Sequence, residues 1–216
     1  MPNDRLTCRG PFRLRHCSRL APDFVLNPQS PEGLAVVSLT VSGKPLDKVS
    51  SLEFRVRPLA PHGEQVTEAT PRFRSAREHT EWMQSERGRR DADWGVGVKV
   101  PGAAVPLDVI DHGTPIGRLT TMRLPAGQYE FYAWRLREPD PKGGAEDSRK
   151  DTFSYPFVVK AAQATYIGRL NLHLIDRDSE KLTVENRREQ DFAVLRKKLP
   201  SVGAGQIAVD IGRIQP

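Results

Sequence analysis

Cysteine is nearly absent from this chain. Among 216 residues there are only Cys8 and Cys17, and everything from Ser18 onward is cysteine-free. That excludes a disulfide-stapled scaffold. A bridge between the two would tie down only a terminal tail. The pattern is neutral between cytoplasm and periplasm. Long apolar runs are also missing. No stretch reaches the roughly 18 apolar residues that a transmembrane helix needs. Residues 1–24 contain no apolar core of the kind a secretory signal requires.

Recognisable catalytic and cofactor motifs are missing too. There is no nucleophile elbow and no phosphate-binding loop. Gly95-x-Gly97 runs into Val100 where a dinucleotide fingerprint needs glycine. No pair among the five histidines has metal-ligand spacing. His79 with Glu81 lacks the second histidine of a zinc-protease helix. Cys8, His16 and Cys17 match no common zinc pattern. Asp176, Asp178 and Glu180 begin like a calcium loop but lack its glycine and its closing glutamate. The expectation is a protein without metal, without cofactor and without enzymatic activity.

What the chain does contain is turns. The 18 prolines and 17 glycines are scattered between short β-rich runs, which favours an all-β architecture over a helical bundle. The formal charge of +6 invites a nucleic-acid reading. Half of that excess sits in residues 1–24, where five arginines face two aspartates. Elsewhere acids and bases interleave, so a solvated mixed surface is the better reading and nucleic acid is not favoured.

Residues 1–31 read as an irregular Arg/Pro-rich lead-in. Residues 32–216 read as one domain. Leu34–Val41 is β-rich, and Leu52–Val56 alternates apolar and polar with a period of two. Residues 59–91 read as a long loop, and residues 138–151 as a second surface loop. These two loops are the interaction surface expected for a protein or envelope partner. Trp94–Val100, Val105–Ile110 and Ile116–Leu124 follow as strands. Gln128–Arg137 carries aromatics at odd and even positions, which suggests a strand covered on both faces. Phe153–Val159 is a strand whose Pro156 argues for a sheet edge or a bulge. Thr165–Ile175 places Tyr166, Gly168, Leu170, Leu172 and Leu174 on one face, with His173 opposite and exposed.

One helix is well signalled near 187–199. Asn186 and Glu189 have the spacing of a capping box. Phe192, Leu195 and Leu199 form an apolar stripe, basic residues crowd the end, and Pro200 stops it. The fold expected is therefore mostly β: an antiparallel sandwich of seven to ten strands with one amphipathic helix.

The stretch Val105–Trp134 contains Leu124-Pro-Ala-Gly127-Gln-Tyr129. It resembles the L-P-x-G-x-Y turn of small bacterial sandwich modules, the PEGA and carboxypeptidase-regulatory-like (prealbumin-like) domains. Tyr166-Ile-Gly168-Arg-Leu and the helix running into Pro200 are similar to segments of uncharacterised proteobacterial envelope lipoproteins. The resemblance implies an Ig/prealbumin-like sandwich. It also implies a binding or structural accessory role at the periplasmic face of the cell envelope, with no catalytic residues to carry over. Leu14-Arg-His-Cys17 departs from a lipoprotein signal, since Arg15 and His16 stand where small residues belong. It reads as a coincidence or the remnant of a misassigned start. A second reading is a carbohydrate- or small-ligand-binding module using exposed rings of Trp82, Trp94 and Trp134. A third is a hydrolase using Asp108, Asp111 and His112, should those side chains converge.

Overall fold

The computed structural model describes residues 20, 23–59, 75, 77–78, 94–99, 107–111, 115–139, 147–174, 181–203 and 206–215. Ten strands and one α-helix lie within them. In chain order they are β1 (Glu32–Ser42), β2 (Ser51–Pro58), β3 (Trp94–Lys99), β4 (Val109–Ile110) and β5 (Ile116–Pro125). Then come β6 (Gly127–Glu138), β7 (Asp147–Val159), β8 (Ala164–His173), β9 (Lys181–Glu185), α1 (Arg188–Lys198) and β10 (Ile207–Val209). The expected strands all appear, with shifted ends. β7 begins at Asp147, inside the stretch expected to be a surface loop.

The protein is mostly β, with two sheets. The first has six strands in the order β10-β8-β1-β5-β4, with β9 pairing β8. The second has four, β3-β2-β6-β7. The second sheet is antiparallel throughout. The first is mixed, which corrects the expectation of an antiparallel architecture: β8 runs parallel to both β1 and β10. Parallel neighbours need a long crossover. The chain between β1 and β8 supplies one by passing through the second sheet. The stretch carrying β9 and α1 supplies the other.

Both sheets contribute to one core. Val37, Leu39 and Leu170 from the first sheet join Phe54, Phe131 and Tyr155 from the second. A smaller cluster lies on the other side of the first sheet, where Leu34, Val36 and Tyr166 meet Leu195 and Leu199 around α1. β1 is therefore covered on both faces, which explains why it reads as a near-continuous apolar run.

Two bulges change the parity of long strands. In β6, Tyr132 is the extra residue, because Val56 pairs with Phe131 and Arg55 with Ala133. An unbroken period of two would split the aromatics between two faces. With the extra residue, Tyr129, Phe131, Trp134 and Leu136 all join the one core. In β8, Val36 pairs with Tyr166 and Ser38 with Arg169, so Val37 faces both Ile167 and Gly168. Gly168 holds φ +98, a conformation open to glycine. Tyr166 consequently points away from Leu170 and Leu172 rather than sharing their face.

The chain passes from the first sheet to the second at Pro125-Ala126-Gly127, between β5 and β6. Tyr129 Oη donates to the Pro125 carbonyl at 3.0 Å across this corner. Pro156 lies in β7, the terminal strand of its sheet, as a proline should.

Candidate functional site

The bulge in β8 brings Tyr166 and Arg169 onto the side of the first sheet that faces α1. The first turns of α1 carry Asp191 over them. Arg169 Nη2 donates to Asp191 Oδ1 at 2.6 Å, and Tyr166 Oη donates to Oδ2 at 2.6 Å. Arg169 is 1% exposed and Asp191 is fully buried. Asp111 Oδ2 lies 3.5 Å from Arg169 Nη1, and Gln190 Oε1 lies 3.4 Å from Nη2. Burial, and then the Asp191 charge, push the Tyr166 phenol well above its ordinary pKa. Tyr166 therefore stays protonated and keeps donating. Its ring also meets Phe192 edge to face, with centroids 5.4 Å apart.

This cluster has the burial and charge of an active site: Asp191 is fully engaged, while Arg169 Nε and Nη1 are buried without a hydrogen-bond partner among the described residues. Both oxygens of Asp191 are engaged by partners on a different element. That arrangement holds α1 to the sheet, a use for which buried ion pairs are suited when geometry is good. The capping expected of Asn186 is only half formed. Its Oδ1 accepts from the Arg188 N–H at 3.4 Å, while Arg187 occupies the cap position without a side-chain bond. The buried stripe of α1 includes Asp191 beside Leu195, so a carboxylate sits where the sequence pattern suggested only apolar residues.

Above the cluster, β1 and β8 present a polar row. Thr40 Oγ1 donates to Asn171 Oδ1 at 3.1 Å, and Asn171 Nδ2 donates to Ser42 Oγ at 3.0 Å. His173 Nδ1 is 2.8 Å from Ser42 Oγ. Thr40 pairs with Asn171 and Ser42 with His173 in the strand register. His173 is thus half-buried in a cross-strand ladder, not exposed as expected. The alternation of Ser38, Thr40 and Ser42 within β1 was the available sequence signal for it.

Of the proposed hydrolase residues, Asp108 and Asp111 face different basic partners. Asp108 Oδ1 accepts from the Leu119 N–H at 2.6 Å, and its other oxygen meets Lys198 of α1. Asp111 faces Arg169. His112 lies outside the described residues. Among the described residues no group of three or more His, Cys, Asp or Glu is placed to hold a metal ion.

The three tryptophans have different outcomes. Trp134 is 3% exposed, with its ring in the core. It is not the exposed ring that the ligand-stacking reading required, because the β6 bulge turned it inward. Trp94 starts β3, and its side chain falls outside the described residues. Trp82 also lies outside them, as do most of the 59–91 loop and residues 140–146 of the second loop.

No family model and no curated protein matches this sequence. A leucine-rich repeat protein from Bacteroides thetaiotaomicron VPI-5482 is similar among solved structures, at 13% identity and a TM-score of 0.32. The match covers 68% of this chain and 14% of that one, so this chain spans a small part of it. A likeness at that TM-score carries no argument about fold or function.

A cleft of about 670 Å³ lies where β8 begins, between the 25–28 segment, the β7–β8 turn and the 201–206 segment. Leu26, Val25 and Val202 give it apolar walls. Lys160 and Gln163 line it from the β7–β8 turn. No element of the sequence pattern marked this place, because its walls come from three segments far apart in the chain.

Proposed function

We propose that this chain is a non-enzymatic binding or structural accessory protein. In this reading residues 32–216 form a β-sandwich domain of the prealbumin-like kind. The Tyr129–Pro125 hydrogen bond supports that finer fold. A tyrosine at a strand entry, bonding backward across a corner between sheets, is a recurring device of Greek-key sandwiches. It is also the physical content of the L-P-x-G-x-Y resemblance: proline and glycine shape the turn, and the tyrosine closes it.

The cleft at the start of β8 carries the binding half of the proposal. Its volume falls within the roughly 300–1,000 Å³ of small-ligand sites, and such sites are mostly apolar with a few polar groups. The charged groups of the Arg169 cluster, by contrast, are turned on one another. The cell envelope is the compartment proposed, on the resemblance of residues 105–134.

Fractionation of source cells, with mass spectrometry of the N-terminus, tests the proposal. A processed or lipidated form in the envelope fraction is the expected result. An intact chain beginning near Met1 in the cytoplasm would overturn the envelope role.

A further inference from the structure

We propose that Thr40, Asn171, Ser42 and His173 form a hydrogen-bond row whose direction is set by the proton on His173. Protonation at the His173 end turns the Asn171 carboxamide over. It also moves the hydroxyl of Thr40, enclosed within the first sheet, onto a different acceptor.

The row follows from the strand register. Thr40 stands beside Asn171, and Ser42 beside His173, in the parallel ladder of β1 and β8. Alternate residues of a strand share a sheet face, so the four side chains lie together. Thr40 Oγ1 is 3.1 Å from Asn171 Oδ1, Asn171 Nδ2 is 3.0 Å from Ser42 Oγ, and Ser42 Oγ is 2.8 Å from His173 Nδ1. Thr40 is 0% exposed, Ser42 6% and Asn171 7%, whereas His173 is half-buried. The row therefore has one end within reach of water and the other fully enclosed.

Donor counting fixes the direction. A neutral His173 with its proton on Nε2 presents a lone pair at Nδ1. Ser42 then donates its single hydrogen to Nδ1 and accepts from Asn171 Nδ2, and Asn171 Oδ1 accepts from Thr40. Every bond points toward His173. A proton taken from solvent makes both ring nitrogens donors. Nδ1 then donates to Ser42 Oγ, and the Ser42 hydrogen must turn to Asn171. Turning the carboxamide over exchanges its oxygen and nitrogen with almost no change of shape. Oδ1 then accepts from Ser42, and Nδ2 donates to Thr40 Oγ1. The Thr40 hydrogen now needs an acceptor of its own. The Leu170 carbonyl already stands 3.3 Å from Thr40 Oγ1. Every group stays bonded, and every bond points away from His173.

That second acceptor makes the row reversible. Without it, reversal would strand the Thr40 hydrogen inside the sheet, and buried polar groups are costly to leave unbonded. The charges around the ring do not take over this task. On β9, Lys181 is the residue paired with His173. On β1, Thr40 and Ser42 share the face and do not titrate, and Lys44 beyond the strand end bonds Glu138 at 3.0 Å. On β8 itself, Arg169 is held by Asp191. Among the described residues, the proton on Nδ1 is therefore answered by Ser42.

The test is NMR spectroscopy of the full chain at about pH 8 and about pH 5, the range over which histidine changes charge. At the higher pH, His173 should carry its proton on Nε2 alone, and the Asn171 amide hydrogens should show their strongest Overhauser contacts to the Ser42 Cβ hydrogens. At the lower pH those contacts should be lost and replaced by contacts to the Thr40 side chain. An exchange of contacts reports rotation of the amide, which the field of a nearby imidazolium does not produce. His173→Gln should abolish the exchange. Ser42→Ala should leave His173 titrating while the Asn171 contacts stay fixed; if that variant does not fold, the wild type and His173→Gln decide. Asn171 contacts that are the same at both pH values would overturn the proposal. So would a ring that keeps one protonation state across the range. Exchange that persists in His173→Gln would assign the turn to another group, and exchange that persists in Ser42→Ala would show that the row does not carry it; either result overturns the proposal.

Discussion

Arg169 and Asp191 form a fully buried ion pair, Nη2 to Oδ1 at 2.6 Å, between the middle of β8 and the first turns of α1. The pair exists only because the bulge at Ile167-Gly168 turns Arg169 onto the side that α1 covers. Removing one partner leaves the other charge buried and uncompensated. Asp191→Leu is expected to cost about 3–5 kcal/mol. The double variant Asp191→Leu, Arg169→Met should recover most of that loss. Urea denaturation of the four chains of this cycle checks it, and a single variant within about 0.5 kcal/mol of wild type would contradict the buried pair.

Two of the described residues with positive φ, Gly168 and Ala162, predict opposite effects. Gly168→Ala forces a Cβ into φ +98, with Val184 Cγ1 only 3.2 Å from it. It should destabilise by about 1–2 kcal/mol or more. Ala162→Gly releases the strain at φ +55 and should stabilise by about 0.5–1 kcal/mol. Thermal melts of both variants settle the signs.

Trp134→Ala should behave as a core truncation and lose about 3–5 kcal/mol. Its effect should appear in denaturation midpoints and not as a selective loss of ligand affinity. A stable variant that lost sugar binding would return Trp134 to the surface role.

Alkaline pH probes the join between the sheets. Tyr155, on β7, donates to the Ile167 carbonyl at the β8 bulge and accepts from the Gly212 N–H at 3.1 Å. Burial pushes its pKa from 10.0 up to about 12; the Gly212 bond opposes the rise and the Asp210 charge adds to it. The folded chain therefore holds this proton more tightly than the unfolded chain. The resulting stabilisation is complete below pH 10 and is lost as pH rises through about 12. Tyr166, raised in the same direction, adds to the slope. Denaturant midpoints measured across that window should fall, and Tyr155→Phe should flatten the fall.

The local patterns read well where a strand was regular. β2 alternates in the sequence and alternates in burial, residue by residue. Pro156 correctly pointed to a sheet edge. The reading failed beyond each bulge. One extra residue reverses which side every later side chain occupies, so the rings of β6 read as divided between two faces although Tyr129, Phe131 and Trp134 share one core, and Tyr166 read with Leu170 and Leu172 although it lies opposite them. The cleft was invisible for a different reason. Val25, Lys160 and Val202 are distant in sequence and share no period.

The sequence by itself determined a mostly β chain, the approximate span of each strand, a single helix ending before Pro200 and the Leu124–Tyr129 corner. Those follow from short-range preferences: periodicity, turn residues and capping act over a few neighbouring residues. Only the tertiary structure decided that β8 lies parallel to β1, that Asp191 is buried against Arg169 and Tyr166, and that three remote segments enclose a cleft. Those depend on which strands pair and where a register slips by one residue. Long-range packing sets both, and no local pattern records them.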